Sequence, residues 1–274
     1  MSWPPHRPAR WHLPCWRVTC STCHVRETCL AVGLLPFELG LIDRRLVSGR
    51  RRVQRGETLY RAGDRFDSLY ALWTGFFKTS VSSRDGRDQV TGFQMGGELL
   101  GLDGIGTRRH EVDAVALEDA QLCVIPFAEF EALAREVPAL QRQLLRVMSH
   151  ELMRGQRMLL LLGSMSAEER LAAFLLDLAQ RLGARGFSPS MLLLRMTREE
   201  IASLLGLSIE TISRSFSKFQ ADGLLSVRNR QVCIRNPVGL QRLLDGSTPW
   251  SAQRPEPAHP QWVVHVVHAV PAAA

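Results

Sequence analysis

No run of 18 or more uncharged apolar residues occurs in this chain of 274 residues, and its opening segment, MSWPPHRPARWHLPCW, holds no apolar stretch of the signal-peptide kind. Both absences speak against a membrane span or a secretory leader, so a cytoplasmic location and no membrane partner are expected. A nucleophile elbow, a phosphate-binding loop and a dinucleotide fingerprint are missing as well, and without a catalytic constellation the chain is not expected to be an enzyme. Cysteine, by contrast, is not scarce. Six are present, and in a reducing cytosol they argue for metal or redox chemistry rather than a disulfide framework. With 45% hydrophobic residues the chain can bury a sizeable core. Lys and Arg outnumber Asp and Glu by 34 to 27, for a formal charge of +7, which suits a polyanionic partner.

The pattern changes several times along the chain. Residues 1–19 mix Pro, Arg, Trp and His without periodicity and are expected to be a disordered lead. Residues 20–136 join a cysteine loop to short β-like runs, such as SLYALWTGFFKTSV, punctuated by glycines from Gly56 to Gly101. Such spacing predicts an antiparallel β-roll or jelly roll. Residues 137–163 read as one long helix with an a/d seam of Leu145, Met148, Leu152, Gly155, Leu159 and Leu162, the pattern that pairs two helices. Gly155 lowers helix propensity by about 1 kcal/mol, and Arg154 and Arg157 beside it would repel their symmetry mates, so dimerisation is expected to be conditional. After a hinge at Gly163-Ser164, residues 164–245 form a second domain opened by a Ser166/Glu169 capping box, and residues 246–274 are a Pro- and Ala-rich tail expected to be disordered. The predicted class is therefore α+β: a β-roll sensor, a dimerisation helix and a winged helix-turn-helix.

The segment MTREEIASLLGLSIETISRSFSKFQADG carries the most specific helical pattern. Thr197 and Glu200 make a capping box, Ile201, Leu205, Leu207 and Ile212 are apolar, Ala202 is small where two helices would cross, and Gly206 sits at the turn. This is a helix-turn-helix whose second helix, from Ser208 to about Ala221, leaves its outer face free. On that face Glu210, Ser213 and Arg214 can read base edges of double-stranded DNA, Arg by a bidentate fork to guanine and Glu by accepting from cytosine. Thr211, Ser217 and Lys218 suit phosphates. Ser215 stands where an apolar residue is usual. The following LLSVRNRQVCIRN reads as a β-hairpin wing bearing Arg228, Arg230 and Arg235, with Cys233 as a buried structural thiol.

Cys20, Cys23 and Cys29 place three thiolates on one short loop, and a fourth ligand would complete a tetrahedral zinc site or an iron-sulfur cluster. Cys15 and Cys123 are both candidates, and thiolate chemistry alone does not separate zinc from iron. His24 could compete as a zinc ligand, although it reads better as a flanking loop residue.

Cys20, Cys23, Cys29 and Cys123, followed by AEERLAAFL, RGFSP, MTREEIASLLGLSIETISR and a winged C-terminus, resemble the FNR-type anaerobic regulators (fumarate and nitrate reduction regulators) of the CRP/FNR family, from about Cys20 to Leu244. The resemblance implies a 4Fe-4S cluster held by Cys20, Cys23, Cys29 and Cys123, with Cys15 outside the ligand set. It also implies that the clustered form is a homodimer that binds an inverted repeat of the TTGAT-N4-ATCAA kind and recruits RNA polymerase to genes of anaerobic metabolism. Oxygen would convert the cluster to 2Fe-2S and then destroy it, favouring the monomer. Glu210, Ser213 and Arg214 fall on the family's base-contacting positions, and residues 82–88 on a polymerase-contacting surface. No cyclic nucleotide is expected, because the Arg-Ser/Thr phosphate cassette of the nucleotide-binding branch is replaced after Glu98 by His110, Glu111 and Val112. The alternatives are a regulator of this fold with structural zinc or another redox or nitric oxide sensing role, and an iron-sulfur redox protein.

Overall fold

The computed structural model describes residues 19–47, 49–82, 86 and 88–245. Residues 1–18 of the lead with Cys15, the tail and residues 83–85 and 87 of the expected polymerase loop lie outside the described residues.

The cysteine segment is folded as two single 3-10 turns, Cys20–Thr22 and Arg26–Thr28, and leads into α1 (Pro36–Arg45). Proline at the first helical position and Glu38, whose carboxylate accepts from the Leu35 amide at 2.7 Å, fix where that helix starts. Eight strands follow: β1 (Gly49–Val53), β2 (Thr58–Tyr60), β3 (Ser68–Thr74), β4 (Phe76–Ser82), β5 (Asp88–Met95), β6 (Leu99–Leu100), β7 (Asp113–Ala116) and β8 (Ala120–Pro126). They pair antiparallel in two four-stranded sheets, β1-β8-β3-β6 and β2-β7-β4-β5. Alternation along the strands turns Leu72, Phe77, Ala114 and Leu122 inward, all fully buried, so the two sheets close over one apolar interior.

Helices take over at α2 (Phe127–Glu136) and α3 (Pro138–Ser164). Val137, which leaves the helical region (φ −121°, ψ 85°), and Pro138 at the first helical position separate them. The expected hinge at Gly163-Ser164 is instead helical, and the break falls one residue later at Met165, which is extended and buried. A single helical glycine costs only about 1 kcal/mol, and burial of Leu161 just before it offsets that. The next helix is started by Ser166, whose hydroxyl accepts from the Glu169 amide. The chain then forms α4 (Ala167–Gly183), β9 (Met191–Leu193), α5 (Arg198–Leu205), α6 (Ile209–Ala221), the hairpin β10 (Leu225–Arg228) and β11 (Gln231–Ile234), and α7 (Pro237–Asp245), with sheet order β10-β11-β9.

The apolar core of the helical half does not stop at the roll. One cluster runs from Ile201, Ile212 and Phe216 through Leu171 and Leu175 to Leu161 of α3 and on to Val90, Phe93 and Met95 of β5. Polar contacts reinforce this joint: Lys78 of β4 meets Glu200 of α5 at 2.8 Å, the Val90 amide donates to the Ser203 hydroxyl at 2.9 Å, and Arg195 meets Glu118 at 3.1 Å.

Candidate functional site

The cysteine segment lies against the sheet that contains β8. Cys123 is in an inner strand of that sheet, opposite Arg50 of β1 on one side and Ala71 of β3 on the other. Cys20, Cys23, Cys29 and Cys123 line a common cavity of about 40 Å³, whose remaining wall is largely apolar and includes Leu30, Ile42, Leu46 and Ile125. All four are free thiols. The loop is held in place by the Cys20 amide, which donates to the Asp43 carboxylate, and by Gln143 of α3, which donates to the Cys29 carbonyl at 3.5 Å. His24 packs edge-on to the Trp73 ring, with centroids 5.1 Å apart, and the Arg50 guanidinium lies 3.5 Å from the centre of the same ring.

Burial sets the electrostatics. It pushes the Cys29 thiol up to about 12, with Cys123 and Cys23 nearby adding to the rise and hydrogen bonds from backbone amides opposing it. Cys20 is raised further by burial and by the Asp43 carboxylate, and Cys123 is raised by burial against the opposing pull of Arg50. Removal from water disfavours a thiolate until a cation shares the space. Among the described residues no three His, Cys, Asp or Glu side chains are gathered as a single metal ion would need. The four cysteines that line this largely apolar cavity are, in donor chemistry alone, a set that suits a thiolate-held metal group.

The second candidate surface is α6. Thr197 caps α5 by accepting from the Glu200 amide, Gly206 takes a left-handed conformation (φ +62°) at the turn, and Ser208 caps α6 by accepting from the Thr211 amide. Ile212, Phe216 and Phe219 are buried, which turns Glu210, Ser213, Arg214, Ser217 and Lys218 outward, with Thr211 partly covered. Ser215 is buried and its hydroxyl donates to the Thr211 carbonyl at 3.0 Å, so it fills an apolar position without an unmet polar group. Lys218 is already engaged: its ammonium meets both Glu168 oxygens at 2.7 Å. Arg198 stacks its guanidinium 3.2 Å from the Phe216 ring centre, and burial lowers it to about 10. On the hairpin Arg228, Arg230 and Arg235 are exposed, the turn passing through Asn229 at φ +54°. Cys233 is only half-buried, less than the sequence pattern suggests, because it lies on the strand face opposite that of the buried Val232 and Ile234.

Along α3 the seam residues stand largely free: Leu145, Met148, Leu152 and Leu159 are 59%, 40%, 64% and 72% exposed. Leu162, in contrast, packs on the apolar cluster of the helical half. Gly155 has no atom within 4 Å of where a β-carbon would sit. Arg154 turns away from the seam and donates to the Phe93 carbonyl at 3.2 Å.

Two family descriptions match this chain. Residues 50–137 match the cyclic nucleotide-binding domain and residues 169–243 the Crp-like helix-turn-helix domain. The transcriptional regulatory protein btr of Bordetella pertussis is 43% identical over 82% of this chain and 93% of its own length. The chain belongs to the FNR-type regulators of the CRP/FNR family. The fumarate and nitrate reduction regulatory protein of Escherichia coli K12 is 40% identical over 82% of this chain and 90% of its own length. Among solved structures, FixK2 from Bradyrhizobium japonicum superposes with a TM-score of 0.66 at 29% identity, over 71% of this chain and 96% of its own. A CRP/FNR regulator is accordingly a DNA-binding transcription factor by its relatives and its helix-turn-helix, and among the described residues no helix is long and apolar enough to cross a membrane.

The sequence pattern did not point to Arg50, Trp73, Asp43 or Gln143 around the thiols, nor to Glu168 as the partner of Lys218. Each is brought in from a distant element, and no local spacing announces it.

Proposed function

We propose that this CRP/FNR regulator is an oxygen-responsive transcription factor in which Cys20, Cys23, Cys29 and Cys123 hold a 4Fe-4S cluster, and the clustered homodimer binds a TTGAT-N4-ATCAA-like palindrome and RNA polymerase at genes of anaerobic metabolism. The observation that carries the reading is the convergence of three loop thiols and one strand thiol on a single apolar cavity. A bound cluster would supply the iron for the thiolates of Cys20, Cys23, Cys29 and Cys123 to ligate, tying the loop to the roll by bonds that oxygen could break.

The chain's own residues supply the rest. Asp43 and Gln143 fix the loop backbone against α1 and α3, so the loop's position bears on the helix that carries the free seam. Pairing two copies along Leu145, Met148, Leu152 and Leu159 would cover that exposed apolar stripe and set two α6 helices in twofold relation, which a palindrome matches. Arg214, Glu210 and Ser213 then face base edges, while Thr211, Ser217 and the hairpin arginines face phosphates. Glu98, which follows the Gly96-Gly97 turn, directs its carboxylate to Arg181 and Arg185, and His110 stacks on Tyr60 with ring centroids 3.6 Å apart. Both engagements support reading the roll without a cyclic nucleotide.

The test is anaerobic purification with iron and acid-labile sulfide assay, visible absorbance, and single Cys→Ser variants. The wild-type protein should be coloured, and its absorbance should be lost in Cys20→Ser, Cys23→Ser, Cys29→Ser and Cys123→Ser. A colourless, zinc-loaded protein overturns the proposal.

A further inference from the structure

The cysteine segment and the helical half meet on opposite sides of one short turn. β5 and β6 are joined by Gly96, Gly97 and Glu98. On the side of the cysteines, Gly97 holds φ +90° and a β-carbon there would overlap the Thr28 side chain, while one on Gly96 would stand 3.6 Å from Val25 Cγ1. Thr28 immediately precedes Cys29, and Val25 lies between Cys23 and Cys29. A glycine is therefore required at position 97 for the loop to seat this closely, while Gly96 brings the same turn into ordinary contact with Val25.

On the other side the same turn grips the C-terminal end of α4, through Arg181, and the segment just after it, through Arg185. The Glu98 carboxylate accepts from Arg181 Nε at 3.1 Å and Nη2 at 2.7 Å, and from Arg185 Nη2 at 2.7 Å. Arg181 Nη2 also donates to the Phe93 carbonyl at 2.6 Å, and Arg185 Nε to the Gly96 carbonyl. The three side chains are 16%, 16% and 10% exposed, so the pairing is shielded from solvent and salt. Beside it lies a cavity of about 190 Å³ between β5, α3, α4 and α5, lined in part by Phe93, Arg154, Met158, Leu161, Phe174 and Arg181. The joint therefore combines directional bonds with room to re-seat.

We infer that Glu98 is a positioning residue that passes the state of the cysteine loop to the DNA-reading half directly through α4, in parallel with any change in dimerisation through α3. Displacement of Val25 and Thr28 moves the Gly96-Gly97 backbone. Gly96 O and Glu98 are the groups that hold Arg185 and Arg181, and α4 carries α5 and α6 with it through the shared apolar core. The coupling requires that the loop has two positions and that the two differ in their contact with this turn. It rests on the proposed reading that cluster occupancy is the signal.

The test uses the full chain purified anaerobically, as wild type and as Glu98→Gln, which keeps shape and removes the charge. Affinity for a duplex carrying TTGAT-N4-ATCAA is measured with the cluster intact and after air, together with absorbance and sedimentation. The expected result is that Glu98→Gln keeps wild-type absorbance and dimer content, while its ratio of clustered to cluster-free affinity shrinks about tenfold, within the 5- to 150-fold typical of coupled sites. A purely stabilising ion pair would shift both affinities together and leave that ratio unchanged, which overturns the proposal. Hydrogen exchange on wild type gives a second reading should the variant fold poorly: residues 177–186 exchange faster once the cluster is lost, and unchanged exchange there also overturns it. If wild-type affinity does not respond to the cluster at all, the oxygen-sensing reading fails and takes this inference with it.

Discussion

Leu159 and Leu161 lie two residues apart on α3, yet truncating them should damage different properties. Leu159 is 72% exposed in the single chain and Leu161 is 7% exposed. Fully burying a leucine contributes about 1.5 to 3 kcal/mol, so covering the free part of Leu159 in a dimer contributes about 1 to 2 kcal/mol per protomer. A twofold dimer loses the contribution twice in Leu159→Ala, about 2 to 4 kcal/mol, or roughly 30- to 700-fold in the dimer dissociation constant at 1.4 kcal/mol per tenfold. Because the side chain touches little in the protomer, urea unfolding of the monomer should be unchanged. Leu161→Ala, in contrast, should lower monomer stability by about 2 to 5 kcal/mol through transfer and cavity costs. Sedimentation equilibrium of the anaerobic protein, with urea melts of both variants, measures the two effects separately. A dimer constant for Leu159→Ala within twofold of wild type, or a stability loss comparable to that of Leu161→Ala, would refute the assignment of the seam.

Replacing Arg214 by Ala should weaken binding to the palindrome by about 1 to 3 kcal/mol per lost bidentate contact and leave affinity for unrelated duplex almost intact, as a competition titration would show. Glu168→Gln frees Lys218 from its ion pair, so non-specific affinity should rise and the slope of log affinity against log salt should steepen by about one per protomer, read from binding at several salt concentrations. Burial pushes the Glu98 carboxyl up, but Arg181, Arg154 and Arg185 more than offset this and hold it below the ordinary carboxylate range. Its contribution to stability is therefore present above the unfolded carboxylate value and lost as pH falls through the folded one. Urea midpoints between neutral pH and pH 3 should accordingly fall more steeply in wild type than in Glu98→Gln, and parallel curves would contradict the pairing. Cys15→Ser and Cys233→Ser should both retain full iron and sulfide content, in contrast to Cys123→Ser, and loss of iron from Cys15→Ser would move the ligand assignment.

Local pattern carried much of this architecture, for identifiable reasons. Thr197 with Glu200 and Ser166 with Glu169 are reciprocal caps three residues apart, and both form as their spacing predicts. The outward face of α6 followed from the 3.6-residue period that buries Ile212, Phe216 and Phe219. Glycine spacing and alternation announced the roll, but not that β5 would share its core with α4 and α5. Contacts between distant elements were hidden: Glu98 and Arg181 are 83 residues apart and Lys78 and Glu200 are 122 apart, and a carboxylate in a turn reads the same whether it faces water or an arginine. Lys218 illustrates the limit at close range, since its place on the exposed face was legible while its partner Glu168 lies 50 residues away. For the thiols, spacing announced three members of the constellation. That Cys123 faces the same cavity is a property of β-sheet register, opposite Arg50 and Ala71.

Whether the thiol site governs DNA binding is decided by titrating the anaerobic protein with air while following visible absorbance, oligomeric state and palindrome binding in one sample. Dimer content and specific affinity should fall together as absorbance bleaches. Affinity that stays constant while the absorbance disappears would contradict such control.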